Sequence, residues 1–164
     1  MLSALDVARY FLGKDIRRKL FDKVLREKNG RTFYVGNARL NKYLHIAQNL
    51  YIAKTGRKLF ADDLYAYDNG AVVPQIQESY SVLVSRRDIP QLDSELSLFL
   101  DRIFLFLKNA TLDELIELSH EDPEWEAKHR HYLKADQKMD SLRYAEVYQA
   151  QYADALKILE SMPV

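Results

Sequence analysis

The sequence predicts a mainly α-helical protein: a compact single-domain bundle of about six or seven helices, with a small β-hairpin around residues 64–73. Three observations predict it. The 164 residues include only five Gly and four Pro, too few breakers for a many-turned β fold. Apolar residues recur at helical spacing through most of the chain. With 48% hydrophobic residues and no cysteine, a chain of this length buries enough surface to fold without disulfides.

The N-terminal third predicts three helices. Ser3 is a candidate N-cap for a short first helix. A second, basic helix is predicted over about residues 14–26, and Asn29-Gly30 would end it, because glycine suits the left-handed position after a helix. Asn37 is a candidate N-cap for a third helix, which Gly56 would end.

The next segment departs from helical spacing. Residues 64–67 are short and aromatic, Asn69-Gly70 is a turn signal and Val72-Val73 is β-branched, which together predict a hairpin. We expect Gly70 to adopt a backbone conformation that a side chain would resist. Pro74 suits the first position of a following helix, which is predicted to run to about Val84.

The C-terminal half predicts further helices. Residues 92–107 are apolar nearly all round, which places that helix in the centre of the core, and the residues expected to be buried are Leu96, Phe99, Leu100, Ile103 and Phe104. Thr111 to Glu114 is typical of a capping box. Asp122-Pro123 is typical of an N-cap and first helical residue. A final helix is predicted from Asp140 or Ser141 through Leu159.

Charge divides the chain although nothing else does. No repeat, low-complexity tract or linker interrupts it, so residues 1–164 are predicted to form one domain, with a basic N-terminal part over 1–36 and the rest over 37–164. Residues 1–42 hold 11 Lys and Arg against 4 Asp and Glu, and the remainder holds 13 against 20. The two halves either neutralise each other in the fold or leave one pole as a docking surface.

No marked enzyme motif is present: there is no phosphate loop, nucleophile elbow, H-E-x-x-H or EF-hand loop. The densest polar cluster runs from His120 to Trp125. A histidine beside carboxylates can act as acid or base, so a small hydrolase or metal-dependent enzyme centred on His120 and Glu121 is one alternative. Structural roles explain the same residues, since Asp122 can cap and Trp125 can anchor a helix.

A nucleic-acid-binding module that uses the basic N-terminal helices is a third alternative. Such a patch should mix aromatic and basic side chains, whereas Phe21 lies on the apolar side of the predicted basic helix. The longest uninterrupted apolar run, residues 103–107, is far short of a membrane span. The start of the chain has no signal-peptide pattern, so a cytoplasmic protein is expected, with neither nucleic acid nor membrane as partner.

Three ordered segments resemble the Panacea (SocA-like antitoxin) family. Residues 39–48 are similar to the family's opening helix "kLqKLlYfaQ". Residues 59–80 are similar to "LF…i.AW.yGPVvp.vy..y", and residues 118–127 to "LtH.e.PW.ea". The motif positions marked by the resemblance, as candidates for partner binding, are Lys42, Gln48, Tyr65, Tyr67, Gly70, Pro74, Tyr80, His120, Glu121 and Trp125.

The chain departs from the family pattern at three positions within these segments. Tyr67 replaces the usual Trp, Ala71 replaces the Pro of Gly-Pro-Val, and Glu124 separates Pro123 from Trp125. Between Phe11 and the opening motif the chain also carries a basic, somewhat long insertion. These departures bear on the choice of partner more than on the fold.

The resemblance implies an antitoxin domain, often phage-associated, that neutralises a co-encoded toxin by direct contact. Some relatives look like proteolytic adaptors that hand the toxin to an ATP-dependent protease. The family pattern implies no catalytic residue, cofactor or metal. The 11 Tyr of the chain suit this function, because Tyr supplies rigid contact area with a polar tip.

Overall fold

The computed structural model describes residues 1–164, of which 59% are helical. The chain forms eight α-helices: α1 Ala4–Lys14, α2 Val35–Thr55, α3 Pro74–Leu83, α4 Ser94–Leu107, α5 Leu112–His120, α6 Pro123–His129, α7 Ala145–Gln151 and α8 Ala153–Ser161. Four short strands form two antiparallel hairpins: β1 Leu25–Lys28 with β2 Arg31–Tyr34, and β3 Tyr65–Tyr67 with β4 Gly70–Val72. The predicted mainly helical fold and the hairpin within residues 64–73 are confirmed.

Helix α2 is the axis of the molecule. Fourteen of its 21 residues are buried, and it contacts α1, α3, α4, α5, α7, α8, β2 and β4. Its apolar side chains, such as Leu40, Tyr43 and Leu44, belong to a core cluster of 31 buried residues. A helix enclosed on all sides is usually apolar all round. This one also carries a buried polar row.

Several helix ends lie where their sequence signals predict. Ser3 and Thr111 both form capping boxes, and Asp122 caps α6 by accepting from the Glu124 N–H at 2.9 Å. Gly56 follows α2 with φ +73, and Pro74 opens α3. Local hydrogen bonding and backbone preference therefore decide these boundaries.

The predicted second helix, over about residues 14–26, is wrong. Instead, the Asp15 carboxylate accepts hydrogen bonds from the N–H groups of Lys19, Leu20 and Phe21, a local arrangement that competes with the helical pattern. Arg18 has φ +50 within this loop. Asn29-Gly30 ends no helix and is the turn between β1 and β2, with φ +54 and +77 as a type I′ turn requires.

Two further expectations need correction. Helix α2 begins at Val35, so Asn37 lies inside its first turn and donates to the Gln77 carbonyl at 2.9 Å. Helix α4 buries one face only: Phe99, Leu100 and Ile103 are buried, whereas the predicted core residues Leu96 and Phe104 are half-buried. A helix packed from one side needs only one apolar stripe.

The predicted last helix is interrupted. Residues Ser141–Tyr144 form a 3-10 turn, and α7 and α8 are separated at Tyr152, whose φ and ψ of −102° and 11° lie outside the helical range. This break contributes to the count of eight helices, above the expected six or seven. No helix of the protein combines the length and the apolarity that crossing a bilayer requires.

Candidate functional site

The buried polar row of α2 consists of Asn41, Lys42, His45, Gln48 and Asn49. Each of these side chains is 2% exposed or less. The spacing of three or four residues places them along one side of the helix. Burial of polar groups is unfavourable unless each finds a partner, so the row requires matching groups on the elements that cover it.

The two ends of the row hold backbone segments in place. Gln48 accepts from the N–H groups of Leu59 and Phe60 at 2.7 and 3.2 Å and donates to the Phe60 carbonyl at 3.0 Å. Asn41 accepts from the Val73 N–H at 2.9 Å. Gln48 thus fixes the loop before β3, and Asn41 fixes the start of α3.

The middle of the row meets the end of α5 in a Ser-His-Asp arrangement. His45 Nδ1 lies 2.8 Å from Ser119 Oγ, and His45 Nε2 lies 2.7 Å from Asp122 Oδ2. Ser119 Oγ also accepts from the Ala71 N–H at 3.1 Å. With a ring proton on Nε2, the Asp122 carboxylate accepts from Nε2 and the serine hydroxyl can donate to Nδ1.

Asp122 is the centre of this group. Its carboxylate also accepts from Asn49 Nδ2 at 2.8 Å and from the Tyr148 hydroxyl at 2.7 Å, besides capping α6. Burial raises the pKa of Asp122, but the hydrogen bonds that its carboxylate accepts from His45, Tyr148 and Asn49 more than offset this and leave the pKa below its usual value. We call Lys42, His45, Asn49, Ser119, Asp122 and Tyr148 the polar cluster.

Lys42 completes the polar cluster beneath the second hairpin. Its ammonium donates to the Ala71 carbonyl at 3.3 Å, and burial lowers its pKa from 10.5 to about 7. Gly70 lies directly above with φ +115. A Cβ there would stand 2.6 Å from both Lys42 Cε and Ser119 Oγ, so glycine is required by conformation and by space.

An aromatic stack formed by residues of α5 and α6 adjoins the polar cluster. Trp125 lies between His120 and His129, with ring centroids 3.9 and 4.0 Å away and nearly parallel planes. Its indole N–H donates to the Tyr67 carbonyl at 2.8 Å. Burial lowers the pKa of His120, and the charge of Lys42 acts in the same direction, which favours a neutral ring against the indole.

The predicted site residues divide by exposure. Lys42, Gln48, Gly70, Tyr80 and Trp125 are buried, Tyr65, Tyr67, Pro74 and His120 are half-buried, and Glu121 is exposed. The buried set holds the interior together and offers no side chain to a partner. Tyr80, for example, is 1% exposed and donates its hydroxyl to the Asp22 carbonyl at 2.7 Å.

Sequence reasoning missed the roles of His45, Asn49, Ser119 and Tyr148. His45 and Asn49 both pair with Asp122, which lies more than 70 residues away in the sequence, so no local pattern reveals the pairing. One signal was present, since polar residues at 41, 45 and 49 recur every four residues among the apolar residues of this helix. A row of polar residues on a core helix predicts buried hydrogen-bond partners on the elements that cover it.

The Ser-His-Asp geometry resembles a nucleophile activated by a base, but it is closed to solvent. Ser119, His45 and Asp122 are at most 1% exposed. Two depressions of about 50 Å³ each lie elsewhere on the protein, and neither exposes Ser119, His45 or Asp122. Gln48 is the one residue of the buried polar row that lines either depression. No group of three His, Asp or Glu side chains lies close enough together to hold a metal ion, either around His120 and Glu121 or elsewhere in the protein.

Comparison with known proteins gives one match. The family described as antitoxin SocA-like, Panacea domain, matches residues 40–126. No curated protein and no solved structure is significantly similar to the chain. The matched range begins in α2 and ends in α6, and so includes the polar cluster except Tyr148.

Two departures from the family pattern have a structural role in this chain. Ala71, where Pro is usual, donates its N–H to Ser119, which a proline could not do. Glu124, between Pro123 and Trp125, is fully buried and accepts from the Asp140 N–H at 2.5 Å and from Arg143 at 3.1 Å. With more than half of its length matched, the chain belongs to the SocA-like antitoxin, Panacea domain family.

Proposed function

We propose that this domain neutralises a co-encoded protein toxin by direct contact, and that the polar cluster serves the fold. One observation carries the proposal. In a chain that belongs to an antitoxin family, the cluster whose geometry most resembles a catalytic site is sealed inside the protein. What remains for function is the outer surface. The proposal involves no cofactor, nucleic acid or membrane, and it places the encounter in the cytoplasm, where both proteins would be synthesised.

The contact candidates are the motif residues that reach the surface. Tyr65 and Tyr67 are half-buried on β3, with ring centroids 6.4 Å apart, and the Lys134 ammonium lies 5.2 Å from the Tyr67 ring. Half-buried tyrosines with fixed backbones lose little entropy on binding and suit a central anchor. The Trp125 indole N–H donates to the Tyr67 carbonyl, and Gly70 pairs with Tyr67 across the hairpin, so both residues fix the position of Tyr67.

Exposed acidic residues lie on α5 and α6, and α6 contacts the strand that carries these tyrosines. Three glutamates are exposed there: Glu117 on α5, Glu121 at the junction of the two helices and Glu126 on α6. Exposed charge of one sign increases the association rate with an oppositely charged surface more than it increases affinity. The proposal therefore assigns anchoring to the tyrosines and steering to the glutamates.

Delivery to a protease is the finer version of the same function. A proteolytic adaptor and a simple inhibitor both need a toxin-binding surface, but only the adaptor shortens the lifetime of the toxin. Measuring the toxin's half-life in cells, with and without this protein, separates the two. A shortened half-life that depends on an ATP-dependent protease supports the adaptor.

Co-expression with the product of the neighbouring open reading frame tests the proposal. The wild type should restore growth, and Glu117→Lys with Glu126→Lys should impair rescue, while Glu146→Lys with Glu160→Lys, an equal charge change in α7 and α8, should not. Glu126 pairs only with exposed Arg130, so folding should persist. If no neighbouring product is toxic and none binds the purified protein, the antitoxin function fails.

A further inference from the structure

The hairpin of β1 and β2 is exposed to an unusual degree. All four residues of β1 are exposed, as are Arg31 and Thr32 of β2. An isolated two-stranded hairpin is marginally stable in water, and in this one only Phe33 and Tyr34 are even half-buried. It also lies outside the residues matched by the family. We call residues 25–34 the N-terminal ribbon.

The base of the ribbon is nevertheless held firmly. Arg18 donates to the carbonyls of Leu12, Asp15, Val84 and Arg86, and Phe21 is fully buried. Where the chain leaves the ribbon, Gly36 lies so close to Tyr80 and Asp22 that a Cβ there would collide with both. The protein therefore presents an exposed element from a fixed position, which reduces the entropy lost on binding.

One face of the ribbon is cationic. Strand register pairs Arg26 with Phe33 and Lys28 with Arg31, and since directly opposed residues share a face, all four side chains lie on the same side. Only Arg26 has an ion pair, at 3.4 Å with Asp113, and both partners are exposed, so that pair contributes little. Lys28 opposite Arg31 is an unfavourable like-charge pair, which an anion between them would make favourable.

We propose that this basic face, consisting of Arg26, Lys28, Arg31 and Phe33, docks against an acidic patch on the toxin. The inference rests on the proposed function and adds a second contact surface to it. A compact protein patch fits better than nucleic acid, because nucleic-acid affinity depends on the number of phosphates neutralised and this face offers only three cations. The carboxylate of Asp113 beside Arg26 would also repel a continuous phosphate backbone.

Charge variants at the ribbon tip test the docking. Lys28→Glu creates an opposite-charge pair with Arg31, so its Tm should equal or exceed that of the wild type, yet toxin association should slow. Lys28→Glu with Arg31→Glu keeps a like-charge pair but makes both side chains negative. This variant should slow association by about tenfold or more at low salt. The difference should shrink at 1 M salt, where the Debye length is about 3 Å.

The matched control is Arg57→Glu with Lys157→Glu, which makes the same change in net charge at exposed sites. Arg57 follows the far end of α2, about 30 Å from the ribbon by helix length. Slow association confined to the ribbon variants supports the inference. Equal rates for ribbon variants and wild type would overturn the ribbon's role and leave the proposed function intact.

Two other outcomes overturn the inference differently. A wild type that neither binds nor neutralises the toxin removes the proposed function and the ribbon's role with it. Fluorescence anisotropy with a labelled 20-base-pair DNA duplex provides the last arm. If the wild type binds the duplex, the ribbon variants lose that binding and toxin association is unchanged, the basic face recognises nucleic acid instead.

Discussion

The two hairpins of the molecule each contain an Asn-Gly pair, and they use it differently. In the N-terminal ribbon, Asn29 and Gly30 are the two turn residues, both with positive φ, and nothing lies within 4 Å of a Cβ placed on Gly30. In the second hairpin Gly70 is the first residue of β4, pressed against Lys42 and Ser119. The same sequence signal thus builds a solvent-exposed ribbon in one place and a lid over buried polar groups in the other.

That difference separates what is shared from what is individual in this chain. The second hairpin and the polar cluster beneath it, except Tyr148, lie within the family match, whereas the ribbon lies before it. The buried region has its residues fixed by mutual hydrogen bonds, so single changes there should act on stability. Most of the ribbon is exposed to solvent, so changes there should leave stability nearly unchanged and act on binding.

The largest effect is expected from Asp122→Ala. Loss of the carboxylate leaves donors from His45 and Tyr148 buried without an acceptor and removes the shorter hydrogen bond of Asn49, which should lower the free energy of unfolding by about 3–5 kcal/mol. Chemical denaturation measures it. Asp93→Ala is the matched control, because Asp93 also caps a helix but is exposed, and its loss should cost only about 1 kcal/mol. Equal losses at the two sites would mean that Asp122 acts as a cap alone.

Gly70→Ala should destabilise by about 3 kcal/mol. Alanine at φ +115 is strained, and its Cβ would displace Lys42 or Ser119. Thermal and denaturant unfolding should agree on the loss. A Gly70→Ala protein as stable as the wild type would show that the hairpin can shift away from α2, contrary to a closely packed lid.

Lys42 predicts a pH dependence that Lys42→Met should abolish. The unfolded chain keeps this ammonium protonated up to about pH 10, whereas the folded chain releases the proton above about pH 7. Between these values the unfolded state binds more protons, so stability relative to Lys42→Met should rise with pH, by about 1 kcal/mol per pH unit. Parallel stability profiles of the two proteins from pH 7 to 9 would contradict the burial of an uncompensated lysine.

The smallest effect is expected from Gly30→Ala. Alanine tolerates a left-handed φ of +77 with a penalty of about 1 kcal/mol, and no neighbour obstructs its Cβ. Because the ribbon can open locally without unfolding the core, the global free energy of unfolding should change by less than this. A loss as large as that of Gly70→Ala would mean that the ribbon is part of the cooperative core.

The sequence predicted the elements whose signals are local. Thr111, Asp122-Pro123, Pro74 and Gly56 each act through neighbouring backbone groups, and their positions were correct. The ribbon was missed because the apolar spacing of residues 16–25 suits a helix, while the Asp15 carboxylate and the type I′ turn decide otherwise. The polar cluster was missed because it joins α2 to residues 119–148, and such pairings depend on tertiary packing.

The most direct test of the account is Ser119→Ala in the toxin-neutralisation assay, with the folded fraction measured in the same preparation. This change removes the only hydroxyl paired with His45 Nδ1 and leaves the outer surface unaltered. If the polar cluster serves the fold, neutralisation per folded molecule should equal that of the wild type, although the variant is less stable. A folded Ser119→Ala protein that binds the toxin but no longer neutralises it would contradict the account and point to chemistry at the buried serine.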